Sequence, residues 1–182
     1  MPQHLDGPVR AELIAEVVTR LLAEGGQAAV TTRAVADGAG VGLSSLAHHF
    51  GGRRRLMSVS CHLAGRAHLW RVWDRIDALG VGGFLADDEE SLALDRAWLA
   101  WTDLARFDDH LSHHVWDTET RETYAVGQVL GEGAAQDDVE ILAAAARGLR
   151  AAVCRLEDPL PPVQGRRLLE HLVQALTRET AA

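Results

Sequence analysis

The chain has 182 residues, is 47% hydrophobic and carries a formal net charge of −8, so it is long enough to bury a real core in one or two domains. No apolar run approaches the length of a membrane span and nothing reads as a signal peptide, while Cys61 and Cys154 stand far apart without metal-like spacing. We therefore expect a reduced, cytoplasmic protein with no membrane partner. The acidic excess does not exclude nucleic acid: residues 1–60 hold six arginines against five acids, and residues 61–182 hold twelve against twenty-one. A positive face in the first part remains available.

In chain order the sequence predicts helix throughout, with abundant Ala and Leu and no period-two segment of useful length. A first helix runs from about Pro8 to Glu24, with Leu13, Ile14, Val17, Val18, Leu21 and Leu22 on one half of its circumference, and Gly25-Gly26 ends it. Thr31 is a good N-cap for a second helix that buries Val35 and Ala36. Gly40 makes a turn, and a third short helix, about Gly42 to His49, buries Leu46, with Phe50 closing the unit. A long fourth helix, about Arg53 to Leu79, and a glycine-rich loop at 81–84 follow. Further helices are expected at about Asp88 to Arg106, Asp108 to Trp116, Thr118 to Leu130, Asp137 to Leu156 and Val163 to Arg178.

Arg53, Arg54 and Arg55 open the fourth helix. The N-terminal end of a helix carries partial positive charge, so a cation there costs a few tenths to ~1 kcal/mol. An anion docked at that end would reverse the sign, because free backbone N–H groups and guanidinium groups can grip a phosphate together. Two short helices around a tight turn beside such a clamp point to DNA.

Thr31-Thr32-Arg33, Val35-Ala36, Ala39-Gly40-Val41, Leu46, His49-Phe50, Arg53 and Leu56 stand at the spacings of a known DNA-binding unit. Through them the chain resembles TetR-family transcriptional regulators. The resemblance implies an all-α protein with an N-terminal three-helix helix-turn-helix domain (residues 1–55), joined by the long fourth helix to a ligand-binding and dimerisation domain (residues 56–182). It also implies a homodimer on a palindromic operator, a cavity for a small-molecule effector, and repression. By position, Thr32, His49 and Arg53 would hold the DNA backbone. Arg33 would point to a guanine edge, and Leu43, Ser44, Ser45 and His48 would face the groove. The chain departs from the family pattern at Gly42, where a serine is usual, at Ser44, and at Ala47, where an aromatic phosphate contact is expected.

All five tryptophans follow residue 60. Trp70 and Trp73 are three apart on one predicted helix, Trp98 and Trp101 on another, and Trp116 follows. Such pairs share a helix face and could line one cavity suited to a cationic or flat aromatic ligand, although aromatic stripes also serve as plain core. His110 and His114, with Asp117 beyond, have the spacing of metal ligands on a helix. An exposed amphipathic helix explains them as well, so no metal is assigned. The last two helices carry stripes read as a dimer interface: Leu142, Ala145, Leu149, Ala152, Val153 and Leu156 on one, and Leu168, Leu172 and Leu176 on the other. No nucleophile beside a base, nucleotide-binding glycine loop or redox pair is present, so neither catalysis nor a cofactor is expected. The alternative left open by Ala47 is a helical small-molecule- or metal-binding protein with weakened DNA binding.

Overall fold

The computed structural model describes residues 7–86 and 88–179. Among them are eight α-helices, one 3₁₀ turn and no strand. The helices are α1 (Gly7–Ala29), α2 (Thr32–Ala39), α3 (Leu43–Phe50), α4 (Arg53–Leu79), α5 (Glu89–Ala105), α6 (Asp109–Leu130), α7 (Gln136–Val153) and α8 (Pro162–Glu179); the 3₁₀ turn covers Gly80–Phe84.

α1 loses helical geometry at Gly25 and at Gly26 (φ 65°), where the sequence predicts its end, and one further turn follows. α6 corrects the expectation of two helices parted near Asp117. No glycine or proline interrupts Asp109–Thr123, and Arg121 Nε donates to Asp117 Oδ2 at 3.1 Å one turn back along the same helix. α7 stops at Val153, so Leu156 lies beyond it and is 87% exposed.

Packing divides the chain into two compact units: the part up to Ala67 with Ala97–Trp116, and His68–Arg96 with the part from Asp117 onward. This division departs from the boundary at 55/56 expected from the sequence. The middle of α4 is shared out between the units, and the end of α5 with the start of α6 joins the first. There, Trp98, Trp101, Leu111 and Val115 share one core with Ile14, Val18, Leu46 and Phe50. The Trp101 indole N–H donates to Thr19 Oγ1 at 3.0 Å, so this ring is buried with its polar atom satisfied. In the second unit Val72, Phe84, Val126, Leu142, Ala146 and Leu169 make a separate core.

Candidate nucleic-acid interface

Helices α2 and α3 are held by local chemistry. The Thr31 hydroxyl accepts from the Ala34 N–H at 3.1 Å and caps α2. Gly40 ends that helix at φ 64°, and the Val41 N–H then reaches back to the Ala36 carbonyl at 3.0 Å. This left-handed closure needs a residue without a Cβ penalty, which is what glycine supplies. α3 starts from Gly42 without a side-chain cap and ends at Gly51, φ 68°. Val35 and Ala36 of α2, with Leu46 and Phe50 of α3, are buried in the first unit.

The outward positions follow from those inward ones. Thr32, Arg33, Leu43, Ser44, Ala47, His48 and His49 are exposed, and Ser45 is half-buried. On a helix of 3.6 residues per turn, Leu43, Ala47, Ser44 and His48 fall on one side of α3, with Leu43 at its edge, next to the buried Leu46 and Phe50. The His49 ring meets Phe50 edge-on at 5.0 Å between centroids. The sequence-predicted groove-facing residues are thus brought together, with Ser45 at the margin.

Arg53 also has partners within the chain. Its guanidinium donates to the Val30 carbonyl and, at 3.2 Å, to the Gln27 carbonyl. It therefore ties the start of α4 to the chain after the α1 break, and the oddity of a cation at a helix N-terminus has an intramolecular cause here. Arg54 and Arg55 are exposed beside it. Between Thr31 and Arg55 stand four arginines and a single acid, Asp37, so the neighbourhood is positive although the whole chain is not.

The tryptophans do not form the expected cavity. Trp70 and Trp116 are 70% and 62% exposed, too open to line an enclosed pocket. Trp98 and Trp101 are buried in the first unit's core, and Trp73 packs on the second unit's core. The His110–His114–Asp117 series is also parted. His114 Nε2 lies 2.8 Å from Ser58 Oγ, Asp117 takes Arg121, and His110 is exposed. Among the described residues no group of three or more His, Cys, Asp or Glu is arranged to hold a metal. Leu142, Val153 and Leu176 of the supposed interface are buried in the monomer, where they have no surface to offer a partner. Ala145, Leu149, Ala152 and Leu172 are half-buried, while Leu156 and Leu168 are exposed.

The second unit holds a buried ionic cluster that sequence reasoning missed. Arg150 of α7 donates to Glu122 of α6 and, at 3.1 Å, to the Phe84 carbonyl, and its Nε lies 3.8 Å from Asp95 Oδ2. Arg75 donates to Asp95 Oδ1 at 3.3 Å and to the Gly83 carbonyl at 2.9 Å. His68 stands between the two carboxylates, 3.5 Å from Glu122 and 4.0 Å from Asp95. Burial alone would raise the Glu122 carboxyl, but Arg150 and His68 hold it well below the usual carboxylate range. Burial pushes the His68 pKa down, with Glu122 pulling the other way. A signal was present in the sequence: Arg150 interrupts the Leu142–Ala146–Val153 stripe, and His68 the Cys61–Val72–Ile76 stripe, at positions where apolar residues belong.

A capped helix pair with a tight left-handed turn, an outward face on its second helix and a positive surround is a helix-turn-helix unit. Residues 14–58 match the family model described as bacterial regulatory proteins, tetR family. No curated protein matches the chain in sequence. Among solved structures, a transcriptional regulator from Rhodococcus sp. Rha1 superimposes with TM-score 0.79 at 20% identity, over 93% of this chain and 96% of that one. A TetR transcription regulator from Haloarcula marismortui gives TM-score 0.76 at 16% identity, over 92% and 98%. The multidrug binding protein EbrR, solved with imidazole, gives 0.66 at 21% identity, over 90% and 94%. The chain has the fold of a TetR-family transcriptional regulator.

Proposed function

We propose that this protein is a ligand-responsive transcriptional regulator that binds a palindromic operator as a homodimer and is released by a small molecule, acting as a repressor. The observation that carries the reading is the exposed Leu43–His48 side of α3 in a positive surround, within a segment that matches the family model. One such helix spans only a few base pairs, and two-fold pairing places a second reader about one turn of DNA away, ~34–36 Å. The surface suited to pairing is the outer side of α7 and α8, where Ile141, Ala144, Gly148 and Leu168 are exposed. Small residues there let helices approach closely.

Effector response is supported by two observations. EbrR, of similar fold, was solved with imidazole. The second unit also contains a hollow of about 200 Å³ lined by Leu130, Ala134 and Leu176 together with Glu132 and Asp138. Apolar walls with two carboxylates suit a small cation. An effector acts only by differential affinity, so it must prefer the conformation that does not fit the operator.

Selection of bound duplexes from random DNA, at stated salt, tests the reading. Enrichment of an inverted repeat supports it. Retention without sequence preference, or none at all, overturns it in favour of a helical binding protein with weakened DNA contact.

A further inference from the structure

The outward side of α3 is unusual in what it lacks. Leu43–Phe50 contains no Arg, Lys, Asn, Gln, Asp or Glu, and these side chains make the principal hydrogen-bonded pairings with base edges in the major groove. Ser44 and His48 offer single-point hydrogen bonds. The largest exposed side chain at the start of the helix is apolar: Leu43 is 51% exposed. Ala47, also exposed, stands four residues on, and the two share a side with Ser44 and His48. No carboxylate stands on this side, and Arg33, Arg54 and Arg55 are exposed on the neighbouring helices, which matches a polyanionic partner and favours it over a protein one.

The major groove offers one apolar feature, the 5-methyl group of thymine, and it is met by apolar side chains rather than by hydrogen bonds. We propose that Leu43 and Ala47 read thymine methyl groups, so that the operator half-site carries thymines at the positions facing them. The inference rests on the DNA-binding reading above and adds the base chemistry to it. Residues four apart on one face are separated by about 6 Å along the helix axis, against about 3.4 Å per base step along a strand. The two methyl groups therefore lie one or two steps apart. Base discrimination by hydrogen bonding is left chiefly to Arg33 at the start of α2.

The test uses the full chain and the duplexes recovered by selection. Each thymine of the enriched half-site is replaced singly by deoxyuridine, which keeps its pairing and loses only the methyl group, and Kd is measured by fluorescence anisotropy at fixed salt. Replacement at the thymines facing Leu43 or Ala47 is expected to weaken binding about fourfold per methyl, and the Leu43→Ala protein is expected to lose the discrimination at its own thymine. Because Leu43 is exposed, an unchanged Tm for Leu43→Ala verifies that the fold is intact. If duplexes are enriched but deoxyuridine is tolerated at every position, the thymine reading fails and the DNA-binding reading stands. If no duplex is enriched, both fail together.

Discussion

At the scale of single residues, Arg53 separates two roles that the sequence ran together. Three consecutive arginines suggest one phosphate clamp, but the first bonds to backbone carbonyls at Gln27 and Val30. Arg53→Ala should therefore lower the stability of the first unit by about 1 kcal/mol, seen as a reduced Tm without DNA. Arg54→Ala and Arg55→Ala should leave Tm unchanged and reduce the slope of log K against log salt by about one each, if each neutralises a phosphate. The reverse pattern would return the phosphate role to Arg53. Sequence spacing alone could not separate these cases: which way an arginine swings depends on carbonyls more than twenty residues away. The exposure of Leu43, Ser44, His48 and Arg33 agrees with the positions that the family resemblance implies for them, whereas periodicity alone would draw Leu43, three residues before buried Leu46, toward the inward side.

At the scale of elements, most helices were readable from stripes, caps and glycines, and the errors have physical causes. A break was expected near Asp117, but no glycine or proline stands there, and continuous helical propensity and the Asp117–Arg121 pair carry α6 through. Tryptophans at helical spacing looked like a cavity wall. Spacing tells that two rings share a side, but not whether that side meets protein or solvent, and Trp70 and Trp116 meet solvent. The 3₁₀ turn shows a constraint that no periodicity reveals. A Cβ on Gly83 would lie 2.4 Å from the Arg75 carbonyl carbon and the Ile76 nitrogen, and the same approach lets Arg75 bond to the Gly83 carbonyl. Gly83→Ala should cost about 3 kcal/mol or more in chemical denaturation; a loss below about 1 kcal/mol would show that the turn can relax.

At the scale of the whole molecule, the buried ionic cluster makes stability depend on pH. His68 binds its proton less readily in the fold than in the unfolded chain, where its pKa is about 6.5. Its contribution is complete above that value and is lost as pH falls through it. Glu122 has its pKa lowered, so its contribution is present above the unfolded carboxylate range and is lost at lower pH. Both slopes have the same sign in separate windows. Calorimetry should show Tm falling between about pH 7.5 and about pH 5.5, and His68→Gln should flatten that first decline. A wild-type Tm constant over this interval would refute it. Assembly is tested at the same scale. Gly148 is exposed on α7 with open space around its missing Cβ, so Gly148→Arg should be harmless to a monomer and should block pairing through this side. Sedimentation should then show half the wild-type mass; an unchanged mass would place the interface elsewhere.

The two cysteines supply a convenient clock for local unfolding. Burial pushes the Cys61 thiol up to about 12 and the Cys154 thiol up to about 11, so neither forms much thiolate at neutral pH and an alkylating reagent finds little to attack in the native state. Cys61 falls in the first unit and Cys154 in the second. Mass-resolved modification rates therefore report the opening of each half separately, without any engineered label.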